Sequence, residues 1–279
     1  MINLISVNRI NYAGYSSQDF DLKTCMSFKG DSGDVDTFLG REAIASESHR
    51  GHFKRVHNYK YSDVLAPTIT FIKDNFEDFT IEEQRKVLKW LTSRDTASFL
   101  TVYHDDSEAI SYEILGGFIE INTHKAGSGR VVGFTAVFES VSPFAFSPLY
   151  TITKDVSNSE DNKITINLET DDPQNAVYPR ITIKQGDSDG DVSIKNIYTD
   201  DNGKISTFDT FVTNNISDEN VILDGANRVV SSSRTGGRTF GDTFSWNWLP
   251  LYEGKNELSF TGNYTATVEF RYPIKCGEF

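Results

Sequence analysis

Residues 80–93, TIEEQRKVLKWLTS, are the stretch from which the rest of the fold follows, because they carry the one convincing helical pattern of the chain. Thr80 and Glu83 have the spacing of a capping box, in which each side chain bonds the other residue's backbone amide. An apolar stripe at helical spacing comes next, and its members are Val87, Leu88, Trp90 and Leu91. The sequence therefore predicts one α-helix over about residues 80–92.

Two strand patterns follow this helix. Residues 112–122 and 131–141 are rich in β-branched and aromatic side chains, which favour strands. Phe134 and Phe138 fall on the same face of the second run, because side chains alternate along a strand. The polar, glycine-bearing residues 123–130 between the runs are typical of a hairpin connection. We expect one short helix packed on an antiparallel sheet.

Composition favours a mainly β fold. The 279 residues include 20 Phe and 12 Tyr but only 2 Met, which suits sheets better than helical bundles. The net charge is −13, and residues 155–224 alone hold 15 Asp and Glu against 5 Lys and Arg. Because phosphate binding needs Lys and Arg, we expect no nucleic-acid recognition.

Cysteine and hydropathy patterns indicate synthesis in a reducing cytoplasm. The two cysteines, Cys25 and Cys276, are expected to be free thiols rather than a disulfide framework. Residues 1–5 lack the basic and apolar segments of a signal peptide. No apolar run approaches roughly 18 residues, so we expect no membrane insertion.

The region before the helix divides into short strands and a long polar segment. Residues 4–7, 22–28 and 67–73 have strand-like patterns. Residues 31–63 between them are polar, acidic at first and then basic, and we expect an irregular loop there. A loop of this length inside a compact domain usually has a function.

A segment with two prolines, residues 142–148, marks the predicted boundary between two domains, 1–147 and 148–279. Beyond it the sequence shows short strands separated by turn signals. The predicted strands are residues 163–168, 178–184, 192–198, 205–212, 220–223, 228–231, 243–249, 257–261 and 264–272. This spacing predicts a β-sandwich or jelly roll, with the last residues free to pack back on the first domain.

Two clusters suggest metal chemistry but fit it poorly. His49, His52 and His57 lie in the basic segment, yet no cysteine is near, and a zinc site needs further ligands placed by the fold. A solvated basic loop that contacts an acidic partner is the simpler interpretation. Residues 186–191, GDSDGD, lack the glycine position and the closing glutamate of an EF-hand, so we predict a tight acidic turn.

No catalytic site, metal or cofactor is predicted, because the chain has no nucleophile elbow, Walker loop or zinc-protease motif.

The segment around residue 246 leaves two interpretations open. Phe244, Trp246 and Trp248 are predicted to share one face of a strand. Pointing inward, they belong to the sandwich core. Pointing outward, Trp246 and Trp248 would stack on sugar rings, as in a carbohydrate-binding module that contacts host surface sugars.

The order of these pieces resembles the distal tail protein family of siphophages, the phages with long, non-contractile tails. In the first half the likeness rests on NRIN at residues 8–11, KWL at 89–91 and FTAVFESVSPF at 134–144. The second half resembles the family's galectin-like C-terminal sandwich through WLPL at 248–251 and GKNEL at 254–258. The resemblance covers nearly the whole chain.

This resemblance implies assembly rather than catalysis. Family members form a ring, commonly a hexamer, at the tail tip or baseplate of the virion, with the N-terminal domain around the tail lumen and the C-terminal domain outside. The ring joins the tail tube protein to the tail-tip hub or fibre protein, and receptor-binding proteins attach to the outer domain. We expect the polar segment to form the contact between ring neighbours, through Gly40, Arg41, Arg50, Lys54 and Arg55.

Overall fold

The computed structural model describes residues 7–28, 41–47, 54–61, 64–104, 111–127, 129–157, 162–200 and 202–275. They form two compact units. The first contains the described residues up to Pro148 together with Ile274 and Lys275, and the second is Leu149–Pro273. The described part of the chain holds one α-helix and one short 3₁₀-helix among many strands, so the predicted mainly β fold is confirmed.

The first unit is built on a nine-stranded sheet and a separate two-stranded sheet. Its elements are β1 (Val7–Tyr12), β2 (Tyr15–Ser16), β3 (Leu22–Phe28), β4 (Arg41–Glu47), β5 (Lys54–Tyr61), β6 (Pro67–Lys73), α1 (Ile81–Leu91), β7 (Ser98–His104), β8 (Tyr112–Lys125), β9 (Val131–Ser140) and β10 (Ala145–Phe146). The hydrogen-bonded order along the large sheet is β2-β1-β7-β8-β9-β6-β3, and β10 pairs with β8. The predicted strand 67–73 and the hairpin of β8 and β9 are confirmed.

The large sheet rolls up until strands from its two ends meet. Cα atoms of β1 and β3 approach within 8 Å, and the 3₁₀-helix Ser17–Phe20 contacts both strands. The Ser17 hydroxyl accepts a hydrogen bond from the Ile10 amide at 3.3 Å. Sheet edges need covering to prevent unwanted pairing. Here the contact between β1 and β3 covers part of the sheet edge within the chain itself.

The helix α1 begins with the predicted capping box. The Thr80 hydroxyl accepts a hydrogen bond from the Glu83 amide at 3.3 Å, and the Glu83 carboxylate accepts one from the Thr80 amide at 2.7 Å. Lys73 of β6 lies 2.8 Å from the same carboxylate. Its hydrogen bond, together with that of Thr80, lowers the pKa of Glu83 to about 2. The cap therefore fixes both the start of the helix and its contact with β6.

One face of α1 packs on the rolled sheet. Val87, Trp90 and Leu91 are buried, whereas Leu88 is exposed, so the predicted apolar stripe was wrong at Leu88. The buried set follows the i, i+3, i+4 spacing, and Leu88 lies about 100° around the helix from Val87. The Trp90 indole N–H donates to the Tyr12 carbonyl at 2.8 Å, which ties the helix to β1.

The second unit contains a five-stranded and a four-stranded sheet. Its strands are β11 (Tyr150–Val156), β12 (Lys163–Leu168), β13 (Arg180–Gln185), β14 (Gly190–Thr199), β15 (Ile205–Asn215), β16 (Asn220–Asp224), β17 (Val229–Ser232), β18 (Gly254–Thr261) and β19 (Tyr264–Phe270). The orders are β11-β19-β13-β16-β17 and β12-β18-β14-β15. The last strand of the chain, β20 (Pro273–Ile274), pairs with β10.

Buried side chains from both sheets form one hydrophobic core, with Ile183 and Val268 from one sheet and Ile194 and Leu258 from the other. The sandwich prediction is therefore confirmed, while its galectin-like form stays a prediction. Two strand assignments were wrong. Residues 243–249 form no strand, and β11 was missed because most of its side chains are exposed on this edge strand.

Candidate functional site

The predicted irregular loop contains a two-stranded ribbon. Strands β4 and β5 pair antiparallel, with Arg41 opposite Tyr61 at one end and Glu47 opposite Lys54 at the other. Within the residues that the structure describes, neither strand pairs with the nine-stranded sheet. We call β4 and β5 together the ribbon. It escaped prediction because its sequence lacks the apolar alternation of a half-buried strand.

The ribbon has no buried face where its side chains are described. Ala43 and Ile44 point to opposite faces, because neighbouring residues alternate along a strand. Both are exposed, as is Ala45, and half of the Ile44 surface is open to solvent. An isolated two-stranded hairpin is only marginally stable in water. Contact with a second surface would therefore stabilise the ribbon.

The ribbon and its connection are basic in an acidic chain. Residues 41–61 hold 5 Lys and Arg against 2 Asp and Glu, a net charge of +3 in a chain of net −13. Three predicted interface residues lie on the ribbon, with Arg41 at one end and Lys54 and Arg55 at the other. The fold thus places these three on one element but not in one cluster.

Other residues singled out in the sequence lie outside the described part of the chain, namely Gly40, His49, Arg50, His52 and Cys276. His57 lies on β5, and the acidic residues 186–191 include the predicted turn between β13 and β14. Among the described residues, no group of His, Cys, Asp and Glu could hold a metal ion. In the same residues, no helix has the length and apolar character needed to cross a membrane.

The three aromatic residues around position 246 do not share a face. Phe244 bridges to Val212, but Trp246 has a φ of +56°, in the left-handed region that interrupts an extended strand. Phe244 is buried, Trp248 is half-buried against the core, and Trp246 is 53% exposed. The Trp246 indole N–H donates to the Gly241 carbonyl at 3.0 Å. The inward orientation therefore holds for Phe244 and Trp248 and the outward one for Trp246, while sugar stacking stays a prediction.

A buried carboxylate organises the turns next to β15, β16 and β17. Glu219 is fully buried and accepts hydrogen bonds from the Ser232 hydroxyl (2.6 Å), the Ile216 amide (3.0 Å), Arg234 (2.7 Å) and Arg238 (2.9 Å). Burial alone raises the pKa of Glu219, but these hydrogen bonds outweigh it and lower the pKa to about 2. The carboxylate is therefore a structural anion, held ionised inside the unit.

Two family models match the chain, one in each half. A model described as a phage tail protein N-terminal domain matches residues 6–142, and one described as a phage tail C-terminal domain matches residues 144–272. The chain belongs to this family of phage tail proteins. The suspected relation to phage tail proteins is therefore confirmed.

The tail protein also shares its fold with solved structures. The crystal structure of SPP1 Dit (gp 19.1), described as a paradigm of the hub adsorption apparatus in phages that infect Gram-positive bacteria, gives a TM-score of 0.59 at 13% identity. That match covers 95% of this chain and 98% of the other. The phage P2 baseplate in its activated conformation with Ca gives 0.53 at 8% identity, covering 95% and 97%. A search of curated proteins returned no significant match.

Sequence reasoning missed the Glu219 cluster of this tail protein. The two arginines lie 15 and 19 residues from Glu219, on a separate turn. Each of these charges looks like an ordinary surface residue in the sequence. No local sequence pattern predicts the cluster, because only the pairing of β16 with β17 brings Ser232 and the residues after it close to Glu219.

Proposed function

We propose that this phage tail protein is a structural component of the tail tip or baseplate, assembling into a ring of six copies. The ring joins the tail tube to the hub or fibre protein and presents the second unit to receptor-binding proteins. It works in the virion after synthesis in the host cytoplasm, and we assign it no catalytic step. The observation that carries the proposal is the ribbon, which pairs only with itself among the described strands and exposes Ala43, Ile44 and Ala45.

A ring requires that two different surfaces of neighbouring copies meet, so that the contact repeats and closes. The ribbon supplies one such surface, and its charge favours a second copy as the partner. It belongs to a segment of net charge +3, so the rest of the chain carries −16. Opposite charges on two surfaces steer their association and fix its register. The family's tail location and the fold shared with SPP1 Dit support the same proposal.

Light scattering over a range of protein concentrations tests this assembly. We expect a species of about six times 31.3 kDa at low ionic strength, and a shift towards smaller species as salt screens the basic ribbon. A monomer at every concentration and salt level would contradict a ring that assembles from this chain alone.

A substitution on the ribbon tests whether the ribbon forms the contact between neighbouring copies in the ring. We expect Ile44→Asp to abolish the assembled species, because a charge would then enter the ribbon's contact surface, while the monomer folds normally since Ile44 is already half-exposed. Ile205→Asp is the matched control, an exposed isoleucine on β15 of the second unit. Assembly of Ile44→Asp to the same extent as this control would argue against the ribbon as the ring contact.

A second candidate function is the binding of host surface sugars by the second unit. It is supported by the Trp246 ring, held in place by its indole hydrogen bond and more than half exposed, and by the half-buried Trp248. We expect neutral oligosaccharides to change the tryptophan fluorescence of the protein in a saturable way. Titration with maltotriose, cellotriose, lactose and di-N-acetylchitobiose measures this, and a flat response to all four would count against sugar binding.

A further inference from the structure

Aromatic rings surround the guanidinium of Arg228, an exposed residue of the second unit. Its Cζ atom lies 3.7 Å from the centroid of the Tyr178 ring and 5.6 Å from that of Trp248. Burial, together with the charge of Tyr178, raises the pKa of Tyr252. All three aromatic residues are half-buried, so each still reaches the surface. We call Tyr178, Arg228, Trp248 and Tyr252 the aromatic–arginine patch.

A glycine places Arg228 over Tyr178. The turn between β16 and β17 packs directly on the backbone before β13, and the Gly225 amide donates to the Pro179 carbonyl at 3.1 Å. A Cβ atom at Gly225 would lie 2.6 Å from that carbonyl oxygen and 3.1 Å from the Tyr178 Cβ. Only glycine allows this approach. Arg228 itself has a φ of +58°, a left-handed conformation that non-glycine residues rarely adopt.

Backbone and amide hydrogen bonds hold Tyr252 beside Tyr178. The preceding residues, Val177 and Leu251, exchange backbone hydrogen bonds of 2.8 and 2.7 Å. Asn256 is fully buried, and its side chain donates to the Tyr252 carbonyl at 2.7 Å and accepts from the Tyr252 amide at 3.0 Å. The patch is therefore built before any ligand arrives.

The patch presents polar groups at its rim as well as aromatic rings. Within the described residues, no hydrogen bond or ion pair is found for the Arg228 guanidinium, the Tyr178 and Tyr252 hydroxyls or the Trp248 indole N–H. Two further rings extend the apolar surface, with centroids 4.9 Å (Tyr198) and 5.4 Å (Phe208) from that of Tyr252. Tyrosine and tryptophan side chains that present both an apolar ring and a polar tip suit a ligand that is itself both apolar and polar.

The chemistry of the patch selects among ligand classes. Phosphate-bearing ligands are disfavoured, because the second unit carries 11 Lys and Arg against 19 Asp and Glu. A stable protein partner would cover about 20–30 residues on each side, far more than the handful of side chains in the patch. A sugar fits both the size and the chemistry, since its ring has an apolar C–H face and a rim of hydroxyl groups that accept and donate hydrogen bonds.

We propose that the aromatic–arginine patch binds a neutral oligosaccharide. One sugar ring stacks on Trp248, and hydroxyl oxygens of the oligosaccharide accept hydrogen bonds from the Arg228 guanidinium and the Trp248 indole N–H. The Tyr252 hydroxyl serves as both donor and acceptor. This proposal rests on the second candidate function, the binding of sugars by the second unit, and assigns it to the aromatic–arginine patch instead of Trp246. Trp246 is not part of the patch, because its indole N–H is already bound to the Gly241 carbonyl.

Isothermal titration calorimetry with the four sugars named above tests the proposal on the full chain. We expect Arg228→Ala to weaken binding on the order of tenfold, since charged hydrogen bonds contribute most. Tyr252→Phe, which keeps the ring and removes only the hydroxyl, should weaken it on the order of fivefold. Gly225→Ala should also weaken binding by displacing Arg228, although it also strains the turn.

Three control variants distinguish a loss of binding at the patch from a general effect of removing a charge, a hydroxyl or a tryptophan. Arg180→Ala removes a positive charge elsewhere in the unit, Tyr15→Phe removes a hydroxyl in the first unit, and Trp246→Ala removes the exposed tryptophan. All three should bind like wild type. Binding that survives Arg228→Ala and Tyr252→Phe but disappears in Trp246→Ala would overturn the patch and leave the sugar-binding function standing. No binding of any sugar to wild type would overturn both, and neither result affects the ring, which the mass measurement tests.

Discussion

Replacing Glu219 with alanine is expected to lower the free energy of unfolding of the second unit by about 3–5 kcal/mol. The side chain is fully buried, and Arg238, 2.9 Å away, is only 3% exposed. Removing the carboxylate would leave that guanidinium inside the protein without its counter-charge, which costs far more than a lost surface pair. Arg234 and the Ser232 hydroxyl would lose their acceptor as well. Hydrogen-exchange mass spectrometry measures the effect, because it resolves the two units separately.

A matched carboxylate provides the control for this variant. Glu257 lies 3.1 Å from Lys163 on the same unit, but the lysine side chain is 48% exposed. Glu257→Ala should therefore cost less than about 1 kcal/mol, as exposed ion pairs usually do. Equal losses for Glu219→Ala and Glu257→Ala would show that the buried cluster contributes no more than an ordinary surface pair.

The same carboxylate should make the second unit sensitive to acid. The pKa of Glu219 is about 2 in the folded protein, against an ordinary value of 4.5. A lowered folded-state pKa contributes stability above the unfolded pKa and loses it as the pH falls towards the folded one. The contribution is about 3 kcal/mol when complete, and it should disappear between pH 4.5 and about 2. Stability measured across this window should fall less steeply in Glu219→Gln than in wild type.

Gly116→Ala should disrupt the first unit at the pairing of β8 with β9. Gly116 lies opposite Ser140, and an added Cβ would come within 2.1 Å of the Glu139 carbonyl oxygen and 2.8 Å of the Ser140 Cα. These are backbone atoms of the neighbouring strand, so relief requires that the strands separate. β8 also pairs with β7 on its other side, which restricts its movement. We expect a loss of about 3 kcal/mol or more, since overpacking here strains the backbone.

The adjacent glycine offers a close control. At Gly117 the nearest atom to an added Cβ is the Tyr12 hydroxyl at 4.0 Å, an ordinary van der Waals contact. Gly117→Ala should therefore change the unfolding free energy by less than about 1 kcal/mol. Thermal unfolding and hydrogen exchange of β8 and β9 in the two variants compare them directly. Similar values for both would contradict the close approach of the strands at Gly116.

Sequence analysis succeeded where local chemistry decides the structure. The capping box of Thr80 and Glu83 predicted the helix start, because both partners lie within four residues of each other. Strand β6 agreed with its predicted bounds, since its alternating burial follows from the period of a strand in a half-buried sheet. The strands of the second unit were equally readable from their turn residues, apart from β11 and the segment around Trp246.

The features on which the proposed functions rest are not local. The ribbon was taken for a loop, because a strand without a buried face shows no apolar alternation. Trp246 broke the expected strand through a left-handed backbone conformation that tryptophan rarely adopts. Arg228 and Tyr178 lie 50 residues apart in the sequence and meet only because the Gly225 turn packs on the backbone at Pro179. Pairs of this kind depend on the whole fold.

Strands β10 and β20 pair in the sheet of the first unit, yet almost the whole second unit lies between them in the sequence. In topological terms the second unit is an insertion into the first, and the two strands that flank it, β10 and β20, are hydrogen-bonded to each other. A domain whose ends lie close together can be removed or replaced without disrupting the domain into which it is inserted. Recombination between phages could therefore exchange residues 149–272 as a cassette while the first unit keeps its own core.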